Sequence, residues 1–265
     1  MVTDGRAEQL ARLARGWDEA AEGYERYYVP RFAPWVAAAV RALPKDLPDG
    51  PVLVPCCGTF PELDALVTQL PDRDLVGIDL SAGMVRLARE RAEPFARVRV
   101  VEGDASTLDP RSAAAVVSVF GLQQLPAPAE AIASWAAALL PGGRLSVVYW
   151  PARTEDDGPF ARVAAVVGAH VGRGDGAWER ELAPAVTAQG VAVESDEAVS
   201  HPMSHPDAAT FFEAYTRSGP LRPLATARGD AFVTRLRAEF LRDSPPGEWH
   251  HRPTARHIVA RRATG

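Results

Sequence analysis

The hydrophobic rhythm of the chain changes twice. Residues 6 to 43 carry apolar positions at helical spacing, with an interruption at Gly16 and a second run, RFAPWVAAAVRAL, that ends before Pro44. The linker PKDLPDGP, with three prolines and a glycine, then breaks the chain. Beyond it short apolar runs alternate with amphipathic ones. PVLVPCC, DLVGID, ARVRVVEGD, AAAVVSVFGL and GGRLSVVYWP read as strands, the third with a period-two pattern at Val98 and Val100. PELDALVTQL, SAGMVRLARERA and PAEAIASWAAALL read as the helices between them. Strands separated by helices of this length build a parallel sheet from right-handed βαβ units.

After Pro151 the alternation lapses. A helix is expected around FARVAAVVGAH, then a glycine-rich stretch, VGRGDGAW, and a strand over GVAVESDEAVS. A helical region runs from DAATFFEAYTRSG to DAFVTRLRAEFLRD, and ARHIVARR is the last strand. The two late strands are expected to complete the sheet as an antiparallel pair, with the intervening helices as a cover.

Composition narrows the field. The chain has 265 residues, 47% hydrophobic and 24% charged, which is ordinary for a soluble globular protein and long enough for one large domain or one domain with an insertion. A net charge of −5 and a pI near 5.7 provide no basic face, so nucleic acid is a poor expectation as partner. The N-terminus MVTDGRAEQLARLARGW lacks the apolar core of a secretion signal, and no run approaches the length of a membrane span. Cys56 and Cys57 are neighbours and cannot staple loops, which fits a reducing, cytoplasmic setting.

Chemistry concentrates where the first strand turns into the first helix of the sheet. In an open parallel sheet, ligands bind outside the carboxyl ends of the strands, and VPCCGTF is that turn. Gly58 there is free to adopt a positive φ and to let a ligand approach the backbone. The stretch has neither GxGxxG nor GxxxxGK[ST], so a dinucleotide or Walker-type site is disfavoured. Two acids follow at strand ends: Asp79 in GIDLS, 21 residues after Gly58, and Asp104 in VEGDAS. The first spacing suits an acid on ribose hydroxyls, and the second carboxylate is placed to accept from an adenine amino group.

Taken together, VLVPCCGTF, GIDLSAGMVRLARER, VEGDA and PGGRLSVVYW resemble the class I S-adenosylmethionine-dependent methyltransferases, of the small-molecule type akin to the quinone-biosynthesis C-methyltransferases. The resemblance covers about residues 16 to 150. It implies an α/β, Rossmann-like methyltransferase fold: a mostly parallel seven-stranded sheet flanked by helices, a helical lid over residues 1–50, a cofactor core over 51–150, and a late helical cap plus the last strands over 151–265. The family's first motif resembles VLDLGCGTG. Here Val54 stands in place of its acid, Cys56 of its first glycine and Phe60 of its last, while Cys57, Gly58 and Thr59 match.

By that resemblance the turn at Pro55, Cys56, Cys57 and Gly58 wraps the sulfonium end of S-adenosylmethionine, and Glu62 supplies the missing carboxylate for its amino group. Asp79 holds the ribose diol, Leu80 and Met84 flank the adenosyl group, and Asp104 with Ala105 reads the adenine edge. Phe120 begins the segment beneath the methionine part. The aromatic stretch WDEAAEGYERYY resembles the family's lid, so Trp17, Tyr24 or Tyr28 closes over the cofactor.

The acceptor is expected to be a small metabolite. Gln123 and Gln124 lie where the family often places substrate-facing groups, and Trp150 is a further candidate; in the cap Phe160, Trp178, Phe211, Phe212, Tyr215 and Trp249 are candidate walls. Arg217 and Arg222 are candidates to meet an acidic group on the substrate. His250 and His251 are candidate bases on chemistry alone. His201 and His205 have a helical offset, but Pro202 and Pro206 oppose a helix there, so a surface position is expected rather than a metal pair. No metal site is expected. An NAD-dependent oxidoreductase and a non-catalytic adenosyl-binding protein on the same fold are the competing readings.

Overall fold

The computed structural model describes residues 2–172, 174 and 176–264, and the side chains from residue 8 onward. Arg173 and Asp175 of the glycine-rich stretch lie outside the described residues. The chain begins with two helices, α1 (Val2–Tyr27) and α2 (Val29–Arg41). The core follows as β1 (Val52–Pro55), α3 (Leu63–Gln69), β2 (Leu75–Asp79), α4 (Ala82–Ala92), β3 (Val98–Glu102), β4 (Ala113–Val119), α5 (Pro128–Ala137) and β5 (Leu139–Tyr149). The remainder is α6 (Pro159–Val171), α7 (Glu179–Thr187), β6 (Val191–Ser200), β7 (Met203–His205), α8 (Ala208–Arg217), α9 (Arg222–Arg228), α10 (Asp230–Arg242), β8 (Trp249–His251) and β9 (Thr254–Arg262).

Seven strands form one sheet in the order β3-β2-β1-β4-β5-β9-β6. Strands β1 to β5 are parallel, and β9 runs antiparallel to both β5 and β6. The order reverses between β1 and β4, which opens a crevice at the carboxyl ends of those strands, directly above the VPCCGTF turn. Every residue of β1 and β4 is buried, as helices on both faces require. One apolar layer joins α2 (Phe32, Trp35, Val36) to Phe60, Val54 and Val117; another gathers Trp135, Leu139, Leu145, Leu182 and Ile258 on the other face. The cap has its own apolar cluster around Phe211, Phe212, Leu236 and Phe240. β7 and β8 form a separate two-stranded ribbon.

Several boundaries differ from those the sequence predicts. α1 runs unbroken through Gly16, and the break falls at Tyr28, just ahead of Pro30. The glycines of α1 serve as contact points instead: a Cβ on Gly23 would fall 1.9 Å from Ser218 Oγ, so its absence lets the end of α8 approach. A glycine in a helix costs about 1 kcal/mol relative to alanine, a loss that cap packing offsets. β3 ends at Glu102, two residues before Asp104, and α5 ends at Ala137, where β5 takes over the residues LL that read as helical. α7 was not anticipated at all.

Candidate cofactor and acceptor site

The turn after β1 keeps a glycine-like backbone without the glycines. Cys56, Gly58 and Phe60 all have positive φ, at 56°, 54° and 63°. For Cys and Phe this left-handed geometry costs on the order of 1–3 kcal/mol each and persists only where the surroundings enforce it. Here they do. Cys57 N–H donates to Ile78 O (3.1 Å), Phe60 N–H donates to Cys57 O (2.8 Å) and Ser118 hydroxyl donates to Pro55 O (2.9 Å). The Phe60 ring is fully buried beside Gly77, where a Cβ would come within 3.0 Å of it. Cys56 instead fills the space above Gly121, whose Cβ would fall 2.3 Å from its own.

Asp79 sits at the centre of this construction. Its two oxygens accept from Gly58 N–H (2.8 Å) and Ser81 N–H (2.9 Å), which leaves lone pairs on both for a ligand. Burial raises its pKa, and the backbone donors at Ser81, Gly58 and Leu80 oppose that rise. The lid is fastened to the same place. Asp18 of α1 accepts from the Ser81 hydroxyl (2.7 Å) and Gly83 N–H (3.0 Å), while the Ser81 oxygen accepts from Met84 N–H (3.1 Å) to cap α4. Ion pairs Glu22 with Arg86 and Glu25 with Arg91 continue that seam. At the next strand end Asp104 accepts from Ser106 N–H (2.9 Å), and the Trp135 indole donates to Ala105 O (2.7 Å), which holds the loop against α5.

These groups face a cavity of about 410 Å³. Of the residues expected at the cofactor, Tyr28, Cys56, Cys57, Gly58, Asp79, Leu80, Met84, Asp104, Ala105 and Phe120 line it. Pro55 does not, and Glu62 lies outside the wall, 1% exposed, with one carboxylate oxygen unpartnered. Burial lifts the Glu62 carboxyl to about 8, a trend that Arg91 opposes. Both cysteine thiols are pushed up, chiefly by burial, and therefore stay neutral.

Of the residues expected at the acceptor, Trp17, Tyr24, Gln123, Gln124, Trp150 and Tyr215 line the cavity, as do Phe160 and Trp178. Phe120 and Trp150 stack at 4.2 Å with planes 4° apart; Phe32 meets Phe120 edge-on at 4.6 Å, and Phe160 lies 5.6 Å from Trp150. Two buried polar atoms in this wall lack protein partners, the Tyr28 hydroxyl and Gln123 Oε1, and both suit a bound ligand. Sequence reasoning missed Leu13, Phe32, Pro151, Thr154, Ala164 and Pro220 in the wall. Phe32 belonged to a recognisable helical stripe; the others carry no signal of their own.

Three expectations are corrected. Phe211 is fully buried in the cap core against Phe240, with Phe212 and Trp249 also off the cavity. Arg217 is exposed and paired with Glu213 outside the cavity, and Arg222 pairs with Glu19 of α1. Neither histidine of the HH pair reaches the cavity: His250 is exposed beside Glu248, and His251 is buried behind Phe160, 5.2 Å from its ring.

His205, expected at the surface, is fully buried in a chain of hydrogen bonds. Tyr27 Oη meets His205 Nδ1 (2.8 Å), His205 Nε2 meets His251 Nε2 (3.0 Å), and His251 Nδ1 meets Glu155 (2.7 Å). Glu155 also accepts from Phe160 N–H (2.7 Å) and Ala161 N–H (3.2 Å), capping α6. A carboxylate at one end orients the tautomers: His251 donates to Glu155, His205 donates to His251, and the Tyr27 hydroxyl donates to His205. Burial, then His251 and Arg31, lower the His205 pKa to about 3, so that ring is neutral; burial pushes Tyr27 up to about 12. Lid, ribbon and cap are thus joined directly behind the aromatic wall.

Residues 52–143 match the family model described as a methyltransferase domain. The fold is similar to the YcgJ protein of Bacillus subtilis (14% identity, TM-score 0.57, covering 87% of this chain and 98% of that one). It is also similar to the geranyl diphosphate C-methyltransferase of Streptomyces coelicolor A3(2), solved with Mg2+, geranyl diphosphate and S-adenosyl-L-homocysteine (14%, TM-score 0.51, 87% and 79%). The [4+2]-cyclase SpnF is similar too (20%, TM-score 0.51, 89% and 81%). No curated protein sequence matches the chain. Residues 52–143 therefore match a methyltransferase domain, and the chain has the Rossmann-like fold that the motifs led us to expect.

Proposed function

We propose that the protein binds S-adenosylmethionine in this cavity and transfers its methyl group to a small, largely apolar metabolite, such as a natural-product intermediate. The observation that carries this reading is the pair of strand-end acids, Asp79 and Asp104, facing one cavity across a turn that retains positive φ at Cys56, Gly58 and Phe60. Asp79 would hold the ribose diol, and Asp104 with the backbone at Ala105 would read the adenine edge. Tyr28 and Gln123 would meet the polar atoms at the sulfonium end.

The cofactor supplies an activated methyl group, so the chain's own task is to align the acceptor and keep water out. Trp17 and Tyr24 of the lid, with Phe120 and Trp150, form the apolar enclosure for that step. No side chain needs to attack. Among the described residues, the two acids are the only carboxyl side chains in the wall, which holds no lysine, arginine or histidine, and we assign both to the cofactor end.

Calorimetric titration with S-adenosylmethionine, S-adenosylhomocysteine and NAD tests the reading. Binding of both adenosyl ligands in preference to NAD is expected, with a loss of about 100-fold or more in Asp79→Ala, which removes a carboxyl acceptor of several hydrogen bonds. Preference for NAD overturns the assignment. Adenosyl binding without methyl transfer to any acceptor would leave the non-catalytic alternative.

A further inference from the structure

The cavity wall carries no compensating positive charge. Among its described residues there is no lysine, arginine or histidine, and its two carboxyl groups are Asp79 and Asp104. Four arginines close in sequence to the wall are engaged elsewhere: Arg31 donates to Ser204 O and lies over Tyr27, Arg153 pairs with Asp156, Arg222 pairs with Glu19, and Arg217 pairs with Glu213. The histidines that were candidate bases stand behind Phe160 or in solvent. What remains at the acceptor end is mostly ring surface, with Trp150 and Phe160 at its centre, and its other polar groups, Gln123, Gln124 and Thr154, are uncharged.

Ring faces present negative potential and attract cations within about 6 Å, by ~0.5–2 kcal/mol. An anionic acceptor would lose hydration here and gain no partner. A hydroxyl or carbon acceptor must also shed a proton, and no base stands at this end to receive it. A neutral amine meets none of these obstacles. As its lone pair forms the N–CH3 bond, the S–CH3 bond breaks and the positive charge passes from sulfur to nitrogen, so the step needs no proton acceptor.

We propose that the acceptor is an apolar, aromatic-sized amine, methylated on nitrogen, and that the rings around Trp150 and Phe160 hold the resulting ammonium. The proposal rests on the methyltransferase reading of the same cavity. The orphaned Tyr28 hydroxyl stays with the polar atoms at the sulfonium end, so it offers the acceptor nitrogen no base.

The test uses the full chain saturated with S-adenosylhomocysteine, titrated with three probes of one shape: benzyltrimethylammonium, its neutral analogue neopentylbenzene, and phenylacetate. The expected order is ammonium tightest, by roughly tenfold over the neutral analogue, and carboxylate weakest. In Trp150→Leu that ammonium preference should fall toward parity while S-adenosylhomocysteine affinity is retained. Phe160→Leu serves the same purpose if Trp150→Leu does not fold. Equal or tighter binding of the neutral or anionic probe overturns the proposal, as does failure of all three to bind at millimolar concentration. Failure of S-adenosylhomocysteine itself to bind would instead overturn the underlying methyltransferase reading, so the two failures are separate.

Discussion

At the cofactor end of the cavity, polar groups project inward from successive strand ends; at the acceptor end, ring carbon faces inward and the polar groups stand behind it. Asp79 and Asp104 face the cavity and also fasten the turns that carry them. The Tyr27–His205–His251–Glu155 chain is satisfied within the protein and makes its contribution by holding Phe160 and the start of α6 in place. One end thus presents polar groups to the cavity, and the other presents rings held from behind. The difference follows from where backbone donors are available: strand-to-helix turns supply free N–H groups next to the ligand, whereas a late cap of helices offers mostly side chains.

The comparison is most directly broken at Glu155. Its side chain and that of His251 are 5% and 3% exposed, so Glu155→Ala leaves a buried donor and the first amides of α6 unpaired. A stability loss of about 3–5 kcal/mol is expected from leaving these buried donors unsatisfied, at roughly 1–3 kcal/mol each. Thermal unfolding would measure it, with hydrogen exchange rising over residues 159–171. S-Adenosylhomocysteine affinity should change by only a few-fold; a loss matching that of Asp79→Ala would mean that the two ends are not separable.

Glu62 sharpens the contrast through pH. Its carboxyl, ordinarily near 4.5, is lifted to about 8 by burial. Between those values the folded chain retains a proton that the unfolded chain has released. Its contribution therefore favours folding least at high pH: stability declines as pH rises from about 4.5 to about 8, by on the order of a few kcal/mol. Glu62→Gln should raise the melting temperature at pH 8 and leave it nearly unchanged at pH 5. An equal shift at both pH values would contradict the buried, proton-retaining carboxyl. Unchanged cofactor affinity in the same variant would remove Glu62 from the binding site altogether.

The smallest effect concerns the turn itself. Gly121→Ala would push a Cβ into the Cys56 side chain and cost about 1–3 kcal/mol. Cys56→Gly removes that atom and also relieves the positive φ at position 56. In a double-mutant cycle the pair should recover most of the loss, read by chemical denaturation. Additive losses would show that Cys56 does not occupy the space to which we assign it.

Much of the cofactor end was legible because its signals are local. Strand, turn and acid follow one another within a few residues, so GIDLSAGM and VEGDA identify both the element and the group it presents. Even the missing glycines mislead little, since neighbouring hydrogen bonds force Cys56 and Phe60 into the backbone shape a glycine would adopt. The acceptor end resisted for the opposite reason. Phe160, Phe211 and Tyr215 look alike in sequence, yet Phe160 and Tyr215 face the cavity while Phe211 is buried in the cap.

The sequence by itself determined the alternating core, the order of its motifs, the two strand-end acids and the aromatic lid, because hydrophobic period and turn chemistry act over a few residues. Only the tertiary structure decided which cap rings line the cavity, that Arg217 and Arg222 turn away from it, and that His205 and His251 meet across 46 residues behind Phe160. Those outcomes depend on how helices from distant parts of the chain pack against one another, and no local pattern records that.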